Sequence, residues 1–258
     1  MTMTIATFNV NSIRKRLPIV IRWLAKHQPD VLCLQETKVQ DSEFPLADLQ
    51  GAGYHVTFRG MKGFNGVATL SKVKPERVMH GFEEGPDSED FRILQTIING
   101  IPIINTYVPQ GHAVGTTKFT YKLKWFERLQ KYFTQELDPK KPAVWLGDLN
   151  VAPEPIDVYE AERQVNDPCF HPDARAAYKQ TVAWGFTDVF RKLYPDKLQY
   201  TYWDFFRQHV PRNRGWRIDH ILATAPLAAK CHEVVVDTEP RKAESPSDHT
   251  VVVAQFRT

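Results

Sequence analysis

The 258-residue sequence predicts an α/β (α+β) fold, a mixed-sheet sandwich with helices on the outside. Short apolar, β-branched runs recur along the whole chain and outnumber the helical stretches, so strands should form most of the core. The dipeptide Asn99-Gly100 lies between two of these runs and favours a tight hairpin, because both residues tolerate a positive φ. Other runs are separated by amphipathic segments. Hairpins combined with helical connections favour mixed sheets over a purely parallel, doubly wound sheet.

Nine strands and three helices are predicted. The strands cover residues 4–10, 31–36, 66–71, 91–97, 101–108, 143–148, 217–223, 233–237 and 250–256. The first helix (17–27) has Pro18 in its first turn, where the missing N–H would have no partner in any case. The second (118–137) is the longest and carries Tyr121, Trp125 and Leu129 four residues apart. The third (173–184) ends at Gly185.

The composition is that of an ordinary globular protein, with 42% hydrophobic and 24% charged residues. No break in composition suggests a linker, so we expect a single domain over residues 1–258. No apolar run approaches the roughly 20 residues that span a bilayer, and the N-terminus lacks the pattern of a signal peptide. Cys33, Cys169 and Cys231 are sparse, odd in number and wrongly spaced for zinc, which indicates a reducing compartment. We therefore expect a cytoplasmic protein, and its net charge of +3 is compatible with a polyanionic partner.

Polar side chains stand where many of the predicted strands end or begin. The run AVWL, for example, is followed by GDLNVAP, which places Asp148 and Asn150 at a strand end. Taken singly, an asparagine or aspartate there is a common turn former. Glu36 suits a turn poorly, and Asp219 interrupts an apolar run, so each needs a compensating partner. The full set comprises Asn9, Asn11, Glu36, Tyr107, Asp148, Asn150, Asp219, Asp248 and His249.

Convergence of these strand ends would create a site rich in oxygen ligands. Carboxylates and amides suit Mg²⁺ or Mn²⁺ rather than zinc. An aspartate paired with a histidine holds the imidazole in one tautomer. A second aspartate with a neighbouring asparagine can position and deprotonate a water molecule. Such a set of residues is suited to hydrolysing phosphate esters by metal-assisted in-line attack.

The same stretches, in order, resemble the exonuclease III family of apurinic/apyrimidinic (AP) endonucleases, within the endonuclease/exonuclease/phosphatase superfamily that includes DNase I. The matching segments are ATFNVNSIRKRL, PDVLCLQETKV, KGFNGVATLSK, INTYVPQG, YKLKWFERL, WLGDLNVAPEPIDV, GWRIDHIL and PSDH, which span nearly the whole chain. Each segment is moderately specific, and the ordered set is highly specific. The resemblance implies a DNase I-like four-layer α/β-sandwich: two packed mixed β-sheets flanked by helices, with the site at one edge.

Roles for the polar residues follow from this resemblance. It implies that Asp148 activates the attacking water, with Asn150 as its companion. It also implies that Asp219 orients His249 toward the scissile phosphate, which Tyr107 contacts from the other side; the identity of the general base stays open. The implied ligands of one or two Mg²⁺ ions, with Mn²⁺ as an alternative, are Asn9, Glu36, Asp148, Asn150, Asp248 and His249. Asn11, at a position where the family has Asn or Asp, is assigned to substrate binding.

The segments YTYWDFF (200–206) and GWRID (215–219) resemble the walls of the family's lesion pocket. Tyr202, Trp216 and Ile218 match residues that enclose an abasic sugar flipped out of the duplex; the alternative is that they belong to the core. Basic residues in predicted loops are candidates for contacts with backbone phosphates: Arg14, Lys15, Lys62, Arg212 and Arg214. Two departures concern lesion specificity: an extra aromatic residue in DFF, and the segment HAVGTTK, which lacks the arginine that some relatives insert into the helix.

The resemblance implies a Mg²⁺-dependent DNA repair nuclease that cuts the backbone 5′ to abasic sites. It also implies 3′–5′ exonuclease and 3′-phosphodiesterase activity. The partner would be double-stranded DNA with abasic or 3′-blocked lesions, and the protein would be a monomer. Two alternatives stay open. One is a phosphatase or phosphodiesterase of the same superfamily acting on lipid or inositol phosphates; the other is a catalytically silent DNA-binding or scaffold protein.

Overall fold

Two six-stranded β-sheets form the centre of the protein in a computed structural model that describes residues 2–82, 91–205 and 211–257. The strands in chain order are β1 (Thr2–Asn9), β2 (Val31–Gln35), β3 (His55–Met61), β4 (Phe64–Ser71), β5 (Arg77–His80), β6 (Ile93–Ile98), β7 (Ile101–Tyr107), β8 (Val144–Asp148), β9 (Phe186–Asp188), β10 (Asp219–Thr224), β11 (Cys231–Asp237) and β12 (Val251–Arg257). The helices are α1 (Ile13–His27), α2 (Leu46–Gly51), α3 (Thr117–Glu136), α4 (Pro172–Val182), α5 (Val189–Leu193) and α6 (Ala225–Ala228).

Both sheets are mixed, as the sequence predicts. The first has the order β11-β12-β1-β2-β4-β3, and the second has the order β5-β6-β7-β8-β10-β9. β1 runs parallel to β2 and antiparallel to β12, while β7 runs parallel to β8, which is antiparallel to β10. The hairpin predicted at Asn99-Gly100 joins β6 to β7, with φ of 52° and 71° at its two central residues.

Side-chain alternation along the strands produces four layers. On β1, Met3 and Ile5 face the second sheet, whereas Ala6 and Phe8 face the helical layer that contains α1. Trp145 of β8 packs on the other outside, against α3 and α4. Asn9 shares the inward side of β1 with Met3 and Ile5, so the alternation alone directs its side chain between the sheets.

The boundaries of α1 differ from the prediction. The helix begins at Ile13, and Pro18 lies inside it rather than in its first turn. Pro18 therefore removes one internal hydrogen bond. Burial of Ile19, Trp23 and Leu24 against the first sheet supports the helix in spite of that loss. Because α1 begins earlier than predicted, Arg14 and Lys15 lie in its first turn and not in a loop.

Several short elements were not predicted: β3, β5, β9, α2, α5 and α6. β10 begins at Asp219, two residues later than predicted. The last residue of the predicted pocket-wall segment, Phe206, lies outside the described residues. All three cysteines are buried and free. Across the described parts of the chain, we find no helix that combines the length and the apolar character needed to cross a membrane.

Candidate active site

Strand ends from both sheets meet at one edge of the sandwich. Asn9 ends β1 beside the end of β2, and Glu36 follows β2 directly. In the second sheet, Tyr107 ends β7 and pairs in register with Asp148, the last residue of β8. Because β10 runs antiparallel to β8, its first residue, Asp219, also pairs with Asp148. The register of the two sheets thus brings together residues that are widely separated in the sequence.

Two carboxylates and an imidazole form the centre of the site. Suitable ligand atoms of Glu36, Asp148 and His249 all lie within 4.8 Å of one another. The Asn9 amide nitrogen donates to Glu36 Oε1 and to Asp148 Oδ2, both at 2.8 Å. On the outer side, Lys38 Nζ lies 2.6 Å from Glu36 Oε2. A cluster of carboxylate oxygens of this kind has the chemistry of a site for a hard divalent cation, and the residues present therefore fit one.

The two carboxylate oxygens of Asp148 make different contacts. Oδ1 accepts the backbone N–H of Asn150 at 3.0 Å, which forms the turn after β8. Oδ2 points into the centre, 3.7 Å from His249 Nε2. Burial, together with the charges of Asp219 and Glu36, raises the pKa of Asp148 to about 7, against the opposing effect of His249. The negative charge of these neighbouring carboxylates favours the binding of a cation at this site.

His249 is held in one orientation by Asp219. Its Nδ1 lies 2.8 Å from Asp219 Oδ2, so that nitrogen carries a proton and Nε2 faces the centre. Burial alone would lower the pKa of His249, but the Asp219 and Asp148 carboxylates raise it to about 10. The imidazole is therefore protonated at neutral pH in this environment, and Nε2–H is a donor that could meet a phosphate oxygen.

Tyr107 approaches the same centre from the opposite side. Burial and the nearby charges of Glu36 and Asp148 hold the pKa of Tyr107 well above its usual range, although Arg92 opposes them. The Arg92 guanidinium carbon lies 4.6 Å from the centroid of the tyrosine ring, and its Nη1 donates to the Tyr107 carbonyl at 3.1 Å. Tyr107 is thus a neutral phenol, fixed in place and able to donate a hydrogen bond.

A cavity of about 290 Å³ opens beside the carboxylates. Tyr202, Trp216 and Ile218 line one side of it, and the same three residues also pack in one apolar cluster, in which Trp216 and Ile218 are buried. Isolated antiparallel bridges join Tyr202 to Trp216 and to His249, so the backbone connects this wall to the strand end that carries His249. The other lining residues are Glu36, Tyr107, Gln110, Asp148, Asn150, Tyr159, Gln164, Asp167, Cys169, Asp204, Asp248 and His249.

Asp248 and Asn11 connect the cavity to the N-terminal segment. Asn11 Nδ2 donates to Asp248 Oδ1 at 2.9 Å, and Asn11 Oδ1 accepts from Lys38 Nζ at 2.6 Å. Ser247 Oγ donates to the Asn9 carbonyl at 2.7 Å and anchors the segment that carries Asp248. Asp248 lines the cavity, and Asn11 holds the Asp248 carboxylate in place through its hydrogen bond to Oδ1.

The structure places Asn9 differently from the predicted ligand role. Its side-chain oxygen accepts the backbone N–H of Asn11 at 3.0 Å, and it presents its amide nitrogen to the carboxylates. In this arrangement the Asn9 amide nitrogen holds the Glu36 and Asp148 carboxylates in place. The Asn150 amide nitrogen donates to the Val108 carbonyl at 2.9 Å, while its side-chain oxygen lies near the cavity.

Two of the basic residues proposed for phosphate contacts are engaged within the protein. Arg14 Nη1 lies 2.8 Å from Glu43 Oε2, and Arg214 Nη2 lies 3.0 Å from Glu160 Oε1. Both pairs are substantially exposed, so DNA could compete for either cation. The others lie in the first turn of α1 (Lys15) or in turns (Lys62 and Arg212).

Left-handed backbone conformations concentrate at this edge. Glu36 has φ of 51° and Asn150 has φ of 49°. For a glutamate this conformation is strained, at a cost of order 1–3 kcal/mol, and such strain clusters at functional sites. The conformation turns the chain sharply after β2 so that the Glu36 carboxylate faces Asp148. Further non-glycine residues with positive φ in this region are Asn11, Ser12 and Lys38.

Sequence reasoning missed Lys38 and Lys122. Both occur in segments that resemble the family, QETKV and YKLKW, but a lysine is normally read as a surface residue. Lys122 is fully buried. The sequence pattern that points to its burial is the helical periodicity of α3, which places position 122 next to the apolar stripe of Phe119 and Phe126.

The chain belongs to the endonuclease/exonuclease/phosphatase family, which it matches over residues 6–249. The exodeoxyribonuclease III of Haemophilus influenzae is 36% identical over 267 residues, which cover 99% of this chain and 100% of that protein. An AP endonuclease from Archaeoglobus fulgidus superposes with a TM-score of 0.97 at 51% identity, covering 99% of this chain and 100% of the other. The 3′ phosphatase NExo from Neisseria, bound to product DNA hairpin, gives a TM-score of 0.95 at 37% identity, with 99% and 100% covered. These similarities confirm the predicted family and four-layer fold.

Proposed function

We propose that this protein is a Mg²⁺-dependent DNA repair nuclease that hydrolyses the phosphodiester 5′ to abasic sites in duplex DNA. The observation that carries the proposal is the Glu36–Asp148–His249 cluster, set beside a cavity with an apolar wall. Similarity to an exodeoxyribonuclease III, an AP endonuclease and a 3′ phosphatase supports additional 3′–5′ exonuclease and 3′-phosphodiesterase activity.

The candidate metal ligands are Glu36 and Asp148, with Asp248, His249 and the Asn150 oxygen at the margin of the same cavity. Mn²⁺ would suit the same oxygen ligands, and the number of ions is one or two. A bound divalent ion would neutralise charge on the phosphate and on the leaving oxygen. Asn9 keeps Glu36 and Asp148 correctly oriented through its two hydrogen bonds.

The reaction itself is assigned to four side chains. Asp148 Oδ2 accepts the proton of the attacking water, since Oδ1 is occupied by the turn. His249, fixed by Asp219, donates Nε2–H to a non-bridging phosphate oxygen, and the Tyr107 hydroxyl donates from the other side. The negative charge that develops on the phosphate thus lies between two prearranged donors.

The lesion pocket explains the choice of substrate. Tyr202, Trp216 and Ile218 offer an apolar surface against which a deoxyribose without its base can pack once it leaves the duplex. Asn11 would contribute to substrate binding beside Asp248, to which its Nδ2 donates at 2.9 Å. The same pocket at a DNA end would receive a 3′-blocked sugar or a terminal nucleotide.

Two rival functions fit the structure less well. A phosphatase for lipid or inositol phosphates would not need the aromatic wall formed by Tyr202 and Trp216. A silent DNA-binding or scaffold protein would not need Asp219 and His249 paired at 2.8 Å beside Asp148. We further propose that residues 1–258 form one domain, because one apolar cluster draws side chains from both sheets. The enzyme would act as a monomer in the cytoplasm and, in a prokaryotic cell, at the nucleoid during repair.

One assay distinguishes these possibilities: a labelled duplex with a single tetrahydrofuran abasic analogue, with Mg²⁺ or with EDTA. We expect incision 5′ to the analogue that requires Mg²⁺ and leaves a 3′-hydroxyl, and no comparable cut in the undamaged duplex. Binding without incision would indicate the scaffold. Neither binding nor incision, combined with release of phosphate from an inositol phosphate, would indicate the phosphatase.

A further inference from the structure

Lys122 is a cation buried in the wall behind the cavity. Its side chain is 0% exposed, and its Nζ donates to three backbone carbonyls, those of Gln110 (3.1 Å), Asn150 (2.6 Å) and Pro168 (2.9 Å). An ammonium group has three donors, so all of them are used. Among the residues that the structure describes, no carboxylate lies within ion-pair distance of this group.

The three carbonyls belong to three separate segments around the cavity. Gln110 follows β7, Asn150 follows β8, and Pro168 precedes Cys169; the side chains of Gln110, Asn150 and Cys169 all line the cavity. Neighbouring pairs of these segments are also joined directly, by Asn150 Nδ2 on the Val108 carbonyl at 2.9 Å and by the Ala152 N–H on the Cys169 carbonyl at 2.8 Å. The side chains that line the cavity make only long contacts, with Cys169 Sγ 3.8 Å from Gln110 Nε2 and 3.7 Å from Asn150 Oδ1. The Lys122 ammonium contacts all three segments at once.

α3 provides the fixed support for this arrangement. Trp125, Phe126 and Leu129 of the same helix are fully buried against the second sheet. Around the lysine stem the packing is tight, because a Cβ added at Gly111 would lie 3.2 Å from Lys122 Cδ. Burying an ammonium without a carboxylate is costly, and a methionine would avoid that cost but would leave the three carbonyls without their lysine donor. The lysine is therefore explained by the three carbonyls around the cavity and not by the packing of α3.

We propose that Lys122 is a positioning residue for the nuclease reaction. It fixes the Asp148–Asn150 turn relative to the cavity wall at Gln110 and Cys169, and it thereby sets where the sugar lies with respect to the Asp148 carboxylate. The effect on catalysis rests on the proposed function, whereas the effect on the three segments does not.

Lys122→Met tests both parts, with Lys124→Met as the control, because Lys124 is exposed two residues further along the same helix. Hydrogen exchange followed by mass spectrometry should show faster exchange in residues 108–112, 148–152 and 166–170 of Lys122→Met only. In single-turnover incision of the abasic duplex, the rate per folded molecule should fall about 100-fold, as for a reacting group misplaced by roughly 1 Å. The dissociation constant for uncut duplex in EDTA should change less than threefold.

The outcomes are separable. Unchanged exchange in the three segments, or an incision rate within twofold of wild type, overturns the positioning role. Wild type that fails to incise overturns the proposed function instead, and the exchange data then decide the role of Lys122 alone. If Lys122→Met lacks the native circular dichroism spectrum, Lys122→Gln, which keeps two amide donors, replaces it and should give smaller changes in the same segments. Failure of both variants to fold would show that the lysine serves folding, and would also overturn the proposal.

Discussion

At the scale of single residues, the candidate site depends on side chains that each satisfy two demands. Asp148 closes the turn after β8 with one oxygen and supplies the centre with the other. Asp219 orients His249 with Oδ2, while its buried Oδ1 meets no hydrogen-bond donor among the described residues. An unsatisfied buried carboxylate oxygen costs free energy, so its retention is better explained by the site than by the stability of the fold.

Asp148→Asn should separate these two demands. The asparagine Oδ1 can still accept the Asn150 N–H, so the turn should persist and the melting temperature should stay close to that of wild type. Proton acceptance at the other position is lost, so turnover should fall by about 10²–10⁴-fold. Single-turnover incision of the abasic duplex and a thermal melt measure the two effects. A variant with near-normal turnover would remove Asp148 from the mechanism.

The residues of the site were largely predictable, but their hydrogen-bond roles were not. Asp148 and Asp219 are conspicuous because a carboxylate next to an apolar run needs compensation. The direction of the Asn9 amide depends on the neighbouring backbone N–H of Asn11, which only the folded turn reveals. The helical periodicity places Lys122 beside an apolar stripe, but a lysine in such a position usually extends to solvent, so its burial was not predicted.

At the scale of secondary-structure elements, the pairing of β7, β8 and β10 sets the geometry of the site. Tyr107, Asp148 and Asp219 occupy one row across the three strands. Gly147 allows β8 to approach β7 closely: its φ is +133°, and an added Cβ would lie 1.9 Å from the Thr106 carbonyl oxygen. A side chain at this position would displace the row that carries Tyr107, Asp148 and Asp219.

Gly147→Ala should therefore lower both stability and activity. We expect a loss of about 2–4 kcal/mol in the free energy of unfolding, from strain and from the displaced strand. Urea denaturation and incision by the folded fraction measure the two effects. Gly51→Ala is the matched control, because a Cβ there meets nothing within 4 Å, and it should be neutral or gain up to about 1 kcal/mol. Equal stability of the two variants would contradict the close-approach argument.

Prediction of the elements succeeded where one face is strongly apolar and failed where burial is partial. β3 is mostly intermediate in exposure, and β5 is mostly exposed, so neither presents a clear alternation. β9 has only three residues, too few for any periodicity. α1 was placed too late because Pro18 suggested a first turn, whereas burial of the helix against the first sheet outweighs the lost hydrogen bond.

At the scale of the whole molecule, a buried ion-pair network connects the wall of the cavity to the second sheet. Arg217, between pocket residues Trp216 and Ile218, donates Nε to Asp157 Oδ1 and Nη1 to Asp188 Oδ2, both at 2.7 Å. Its side chain is 2% exposed. Buried charges that lose a partner destabilise strongly, so the pocket wall and the fold should respond together to acid.

The sign of the acid response follows from the pKa values of the two carboxyls. Burial alone would raise the pKa of Asp188, but the Arg217 guanidinium lowers it below its ordinary range, and the pKa of Asp157 is lowered in the same way. In the unfolded chain an aspartate titrates near about 3.9. The network therefore contributes its full stability above about pH 4, and that contribution declines as the pH falls further.

Asp188→Asn should reveal this contribution directly. Asparagine can still cap α5 by accepting the N–H groups of Phe190 and Arg191, but it loses the charge that faces Arg217. At pH 7 the free energy of unfolding should fall by about 2–3 kcal/mol relative to wild type. Only the wild type can lose the Asp188–Arg217 ion pair by protonation in acid. The difference in the free energy of unfolding between the two proteins should therefore become smaller from pH 4 to pH 3. Urea denaturation at pH 7, 5 and 3 measures it, with the exposed Asp196→Asn as a control expected to show no such trend. A difference that stays constant down to pH 3 would mean that the Asp188–Arg217 pair does not link the stability of the sandwich to pH.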